Sequence, residues 1–242
     1  MTAPGGKSKV LIAIQARSTS TRLPGKATEM IAGRPMLERV VSACDEAARH
    51  IASRNEATAE VIVLTPAGDR IAKDFEGQFD VAEAQGDEND VLSRYVEAAR
   101  GFGADFIVRI TGDCPMIPPW VIMRTAALSI ENQYDYCSNV DERFRTALDG
   151  ADCEVVSKSL LEYLGQTARD AEDREHVTTL ARRCPPPWAR LGFVTGHFDL
   201  SWMKLSVDTP EDLERVRVAT QSGLDKLAAA RRHFGRRAVH LL

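Results

Sequence analysis

The stretch KVLIAIQARSTSTRLPGK, Lys9 to Lys26, changes character halfway along. Val10 to Ile14 is an unbroken apolar run, short enough for a strand buried on both faces. From Gln15 the chain turns polar and cationic. Arg17 and Arg22 flank Ser18, Thr19, Ser20 and Thr21, and Pro24-Gly25-Lys26 closes the segment. A buried strand opening into a hydroxyl-rich basic loop gathers backbone N–H groups and three cations, Arg17, Arg22 and Lys26, at one point. Polyphosphate charge is met by fixed donors of that kind. It is not a Walker loop, which has a glycine where Ser20 stands and a hydroxyl where Ala27 stands. No G-x-G-x-x-G supports a dinucleotide cofactor.

Outward from this stretch, apolar periodicity alternates between strand and helix. Leu37, Val40, Val41, Cys44, Ala47 and Ala48 recur at helical spacing, with Pro35 able to open that helix. Val61 to Leu64 is β-branched and reads as a strand, and Pro66 to Asp69 as a turn capping a short helix. Phe79 to Ala82 suggests another strand. Gly86 to Asp90 is an acidic loop ending in a cap for a helix with Val91, Leu92, Tyr95, Val96 and Ala99; Gly101 and Gly103 end it. Phe106 to Ile110 is a strand, followed by the loop Thr111-Gly112-Asp113-Cys114-Pro115. Alternation of this kind implies a mostly parallel sheet covered on both faces, with ligands beyond the carboxyl ends of its strands. Both loops fall at such ends.

Further on, Tyr134 to Asn139 and Cys153 to Val156 read as strands. Helices are expected near Leu160 to Ala168 and Asp173 to Arg183, the second stopped by Pro185 to Pro187. Leu205 to Val207 reads as a strand leading directly to Asp208. Thr209-Pro210-Glu211-Asp212 is a strong helix start, and helices rich in alanine and arginine run to the C-terminus. Residues 1–9 read as a disordered tail without a secretory core. Residues 10–242 form one domain, with an inserted acceptor or dimerisation segment at about 140–202.

The 242 residues are ample for one α/β core. A net charge of -4 argues against a general nucleic-acid or acidic-membrane binder. No apolar run spans a bilayer. Five scattered cysteines with no C-x-x-C pair argue against zinc or a disulfide frame and fit reduced, cytosolic thiols.

Asp113 and Asp208 each follow an expected strand, so both can project from one sheet edge. Two carboxylates there can hold Mg2+, which takes oxygen ligands alongside waters and phosphate oxygens. Arg109 precedes Asp113 on its strand, where an internal ion pair is its plainest role. Cys114 reads as a small buried residue.

These motifs resemble the cytidylyltransferases of the spore-coat polysaccharide type, which are similar to the enzymes activating sialic, pseudaminic and ketodeoxyoctonic acids with CMP. The residues carrying the resemblance are Gln15 to Lys26, Gly86 to Tyr95, Arg109 to Pro115, Asp149 to Glu154, Arg174-Glu175-His176 and Val207 to Asp212. They stand in the family's order over nearly the whole chain. The resemblance implies a three-layer α/β/α fold of the nucleotide-diphospho-sugar transferase type, Rossmann-like with a mostly parallel sheet. It implies that Arg17, Arg22 and Lys26 hold the β- and γ-phosphates and, with Asp113, form the catalytic set. Gln15, Thr21, Asp90, Arg94 and Arg109 would bind the nucleotide as well. Asp113 and Asp208 would bind Mg2+, and Asp152, Glu154, Arg174, Glu175 and His176 would face the acceptor. Cys153 stands where the family has an aliphatic residue, and Cys184 to Asp199 matches none of its motifs.

The expected activity is Mg2+-dependent transfer of CMP from CTP to a sugar acid of the nonulosonic type, in a cytoplasmic homodimer serving surface polysaccharide. Arg174 is the candidate partner for the acceptor carboxylate. Two alternatives stay open. One is a sugar 1-phosphate or polyol phosphate acceptor, whose phosphate Arg143, Arg145 and Arg174 could meet. The other is a non-catalytic nucleotide-binding regulator, which would not need both acids and all three basic-loop cations.

Overall fold

The computed structural model describes residues 6–54, 57–223 and 238–240. Its centre is β1 (Ser8–Gln15), whose side chains alternate between two cores because successive residues of a strand face opposite ways. Val10, Ile12 and Ile14 pack on one face; Leu11 and Ala13 on the other. The first face is covered by α1 (Met36–Ser53), α2 (Arg70–Asp74) and α4 (Pro119–Asn132); the second by α3 (Val91–Phe102) and α5 (Lys158–Thr167). The result is the three-layer α/β/α arrangement expected from the alternation.

Flanking β1 are β4 (Ala57–Pro66) and β6 (Phe106–Thr111), both parallel to it, and β5 (Val81–Ala84) pairs parallel with β4. Beyond β6 the sheet becomes mixed. β8 (Glu154–Ser157) runs antiparallel to both β6 and β7 (Tyr136–Ser138), β9 (Leu191–Val194) runs parallel to β7, and β10 (Ala238–His240) closes the edge antiparallel. The strand order is β10-β9-β7-β8-β6-β1-β4-β5. Segment 140–202 therefore supplies two strands of the one sheet. A two-residue pair, β2 (Met30–Ile31) and β3 (Arg34–Pro35), lies apart from it.

Several local expectations need correction. The tail expected over residues 1–9 is already strand at Ser8 and Lys9, because both pair with β4; residues 1–5 lie outside the described residues. Pro35 pairs with Met30 and caps α1 instead of opening it. The strand expected at Phe79 is β5, two residues later. The helix expected over Asp173 to Arg183 is two short ones, α6 (Ala171–Glu175) and α7 (Thr179–Arg183). Between them buried Val177 takes a φ of 58°, unfavourable for a β-branched residue. The Thr178 hydroxyl bonds Glu154, drawing the chain out of helical register.

The strand expected over Leu205 to Val207 is an irregular segment with one bridge, Asp149 to Lys204. After α8 (Pro210–Gln221), the expected terminal helices fall on residues 224–237, outside the described residues, while 238–240 are strand. α4 and β9 were not anticipated, although Pro119 at the first helical position and the apolar run after it signalled α4.

Candidate active site

The basic loop leaves the carboxyl end of β1 and is fastened at both ends. Ser18 N–H donates to Asp69 Oδ2 at 2.9 Å, while the other oxygen of Asp69 caps α2. Gly25 N–H donates to Ser18 O at 3.1 Å. Alongside, Gly112 N–H donates to Gln15 O at 2.9 Å, extending the β1–β6 pairing into the loop that carries Asp113. A Cβ at Gly112 would lie 3.1 Å from both Gln15 O and Ala16 Cβ, so this close approach favours glycine.

Asp208 reaches Asp113 by a longer route. Asp149 O accepts from Leu205 N–H at 2.6 Å and Ser206 N–H at 3.1 Å, and Val207 N–H donates to Asp113 O at 2.9 Å. Gly150, at φ 109°, permits this: a Cβ there would sit 2.6 Å from the Leu205 backbone. Thr209 and Asp212 form a reciprocal capping box at the start of α8, and Asp212 Oδ2 also accepts from Asp208 N–H at 3.1 Å. Burial acts to raise the Asp212 carboxyl, but Lys204 and Arg215 outweigh it and hold the group well below its ordinary value.

The two aspartates converge on one cation. Lys26 Nζ lies 2.9 Å from Asp113 Oδ2, 3.6 Å from Asp208 Oδ1 and 2.8 Å from Val207 O. Arg22 Nη2 stands 3.1 Å from Asp208 Oδ1. Burial pushes the Asp113 carboxyl up, but Lys26 and the Thr111 hydroxyl more than offset this and keep it low. Oxygen donors that gather round an ammonium group suit a hard divalent cation, with Lys26 then free to meet a phosphate. Asp113 and Asp208 thus fit Mg2+.

On the other side, Arg17 leans on the acidic loop. Its Nη1 donates to Asn89 Oδ1 at 3.0 Å, and Glu88 and Glu175 each stand 3.9 Å away. Buried Arg94 braces that loop through Asp87 O and Glu88 O at 3.3 and 2.9 Å. Burial holds its guanidinium below the ordinary value. These groups surround a cavity of about 580 Å3. Gln15, Thr21, Arg109, Asp152, Glu175 and His176 also line it, and the Gln15 Oε1 acceptor is buried without a partner.

A second chamber of about 210 Å3 adjoins the first, sharing Arg109, Thr111, Asp152 and His176. Glu154 lies here, 2.5 Å from Arg109 across the β6–β8 register and 2.6 Å from the Tyr136 hydroxyl. Burial pushes the Glu154 carboxyl up, yet Arg109 and Arg182 keep it lowered. Asp152 accepts from Arg145 at 2.6 Å, but burial outweighs that cation, and Asp149 and Glu154 add repulsion; its carboxyl is pushed up to about 6.

Asp90 and Arg174 stand outside both chambers. Asp90 caps α3, and Arg174 Nη2 donates to it at 2.7 Å and to Ser93 Oγ at 2.7 Å, tying α6 to α3. Arg143 is engaged with Asp141 and the Phe144 and Phe193 rings. Arg143, Arg145 and Arg174 therefore form no cation cluster. Sequence reasoning overlooked Lys204 and Arg182, which belong to no recognised motif. Lys204 Nζ bridges Asp208 and Asp212 at 3.2 and 2.8 Å.

Comparison with known proteins gives the family. The family model described as cytidylyltransferase matches residues 11–222. A 3-deoxy-manno-octulosonate cytidylyltransferase of Alcanivorax borkumensis is 30% identical over 193 residues, covering 78% of this chain and 68% of that protein. The spore coat polysaccharide biosynthesis protein SpsF of Bacillus subtilis is 28% identical over 221 residues, covering 88% and 86%. The solved structure of a cytidylyltransferase from Leptospira borgpetersenii superposes with a TM-score of 0.74 at 30% identity, covering 89% of this chain and 87% of that one.

Proposed function

Given that this chain belongs to the cytidylyltransferase family, we propose that it transfers CMP from CTP to a sugar acid of the nonulosonic type, with Mg2+ bound and pyrophosphate released. The observation that carries this reading is the convergence of Asp113 and Asp208 on Lys26, beside Arg22, at the mouth of the basic loop. Triphosphate and metal need that charge pattern.

In this reading an acceptor oxygen attacks the α-phosphorus in line. The new P–O bond forms as the bond to the β-phosphate oxygen breaks, the acceptor hydroxyl releases its proton to solvent, and charge grows on pyrophosphate. Phosphoryl chemistry asks the protein chiefly for positioning and neutralisation. Arg17, Arg22 and Lys26 supply the neutralising donors, and Gln15, Thr21 and Arg94 line the nucleotide cavity. Asp113 and Asp208 would hold Mg2+, which when bound polarises the α-phosphate. Asp152, Glu175 and His176, which line the same cavity, would face the acceptor. A cytoplasmic homodimer in surface-polysaccharide synthesis completes the reading. No helix of the described residues is long and apolar enough to cross a membrane.

The test is pyrophosphate release with Mg2+, each common nucleoside triphosphate, and a panel of sugar acids, sugar 1-phosphates and polyol phosphates. CTP-specific release with a sugar acid, lost in Asp113→Ala, is the expected result. Release with phosphorylated acceptors alone would replace the acceptor class. No release with any, while CTP still raises the melting temperature, would favour the regulator.

A further inference from the structure

The smaller chamber carries three guanidiniums from three different elements: Arg109 on β6, Arg145 on the β7–β8 connection and Arg182 on α7. Two have partners. Arg109 is bonded to Glu154 at 2.5 Å, and Arg145 to Asp152 at 2.6 Å and to Ala147 O at 3.2 Å. Arg182 has only a 3.4 Å contact from Nη2 to Thr179 Oγ1. Its Nε is buried without a partner. Among the described residues no carboxylate lies within 4.0 Å of it. Its charge faces Glu154 and Asp141 from farther off, and these already pair with Arg109 and Arg143.

An arginine whose fork is left unfilled beside a half-open chamber is placed to bind an anion, since charge-assisted bonds to a carboxylate are the strong ones. The charge count sets which anion. The lining sets three guanidiniums against three carboxylates, Glu142, Asp152 and Glu154, so an anion of a single charge meets less repulsion there than a phosphate monoester, which brings about -1.5 to -2 at pH 7. The size sets the rest. About 210 Å3 is roughly seven waters' share of liquid volume, the scale of one sugar unit. Thr111, Asp152 and His176 on the shared wall offer hydroxyl partners, and Val140 is the apolar residue on the lining.

We infer that this chamber is the acceptor subsite and that Arg182 is its specificity-determining residue, binding a single carboxylate on a polyhydroxylated acceptor. The attacking hydroxyl then points through the shared wall into the nucleotide cavity. The inference rests on the proposed cytidylyl transfer, and it assigns the carboxylate to Arg182 instead of Arg174.

The test compares the full chain with Arg182→Gln and Arg182→Lys. The probes are CTP with Mg2+, 3-deoxy-manno-octulosonate, its carboxamide, and glucose 1-phosphate. Kinetics are read by pyrophosphate release, and acceptor binding by calorimetry. Arg182→Gln should raise the acceptor KM or Kd on the order of ten- to a hundredfold and leave the CTP KM unchanged. The carboxamide should bind the wild type weakly, and Arg182→Gln should add no further loss. Arg182→Lys, which keeps the charge without the fork, should fall between the two and serves if the glutamine variant does not fold. Equal acceptor affinity in all three proteins, or a matching rise in CTP KM, overturns the assignment while the cytidylyl transfer stands. Preference for glucose 1-phosphate, or no acceptor binding to the wild type, overturns it too. Loss of the CTP-induced melting shift in the wild type would instead sink the nucleotide reading beneath it.

Discussion

Lys26 is the pivot of the site, because it neutralises two carboxylates that a folded chain would otherwise force together. In Lys26→Gln the aspartates should repel and the pyrophosphate oxygens lose a fixed donor. The kcat is expected to fall on the order of a hundred- to a thousandfold, measured by pyrophosphate release at saturating CTP. Asp152 gives a pH signature. Its carboxyl is raised from 3.8 to about 6 in the folded protein. The folded state therefore holds more protons than the unfolded chain between those values, so Asp152 makes stability fall as pH rises through that window. Asp152→Asn should flatten this part of the curve and raise the urea midpoint at pH 7; urea titrations at pH 4, 5, 6 and 7 read it. A steeper fall in the variant would refute the shift.

Among the elements, the segment 203–209 matters most to the site although it has no regular structure. It is strapped to the 149–150 turn by backbone hydrogen bonds and to α8 by the capping box. Gly150→Ala should cost about 2 to 4 kcal/mol, from left-handed strain and backbone overlap together. It should also weaken metal-dependent activity, because Asp208 follows the strap. Thr209→Ala removes only the cap and should cost about 1 kcal/mol, with Asp208 still held by Lys204. Denaturant midpoints of the two variants would separate strap from cap.

Over the whole molecule, two layers of helices clamp β1 from opposite faces, and the cavity opens where its carboxyl end leaves that clamp. The sheet edge built from segment 140–202 brings Asp152, Glu154 and Arg182 to the same opening. CTP binding should therefore stabilise the entire fold. At a hundred times its Kd, linkage contributes about 2.7 kcal/mol, which corresponds to roughly 5 to 10 °C in melting temperature for a chain of this size. Scanning calorimetry with CTP and Mg2+, against GTP as control, measures it. An identical shift with GTP would place nucleotide selectivity outside this cavity.

Local chemistry was enough to identify β1, α1 and α3 and the caps at Asp69, Asp90 and Thr209, since apolar period and capping side chains act within a few residues. The basic loop was legible for the same reason: its cations and hydroxyls lie next to a strand long enough to be buried. Only the tertiary structure decided the partners. The sequence places Arg174 beside His176 without revealing that Asp90 and Ser93 take its guanidinium. Nor does it show that Arg182 turns toward the chamber, because a side chain's partner across the sheet is set by packing of elements distant in sequence. Asp208 was named from the sequence both by the family resemblance and by an expected strand over Leu205 to Val207, which is irregular in the structure. What brings it to Asp113 is Gly150, 58 residues before it in the numbering, through a close backbone approach that no local pattern encodes.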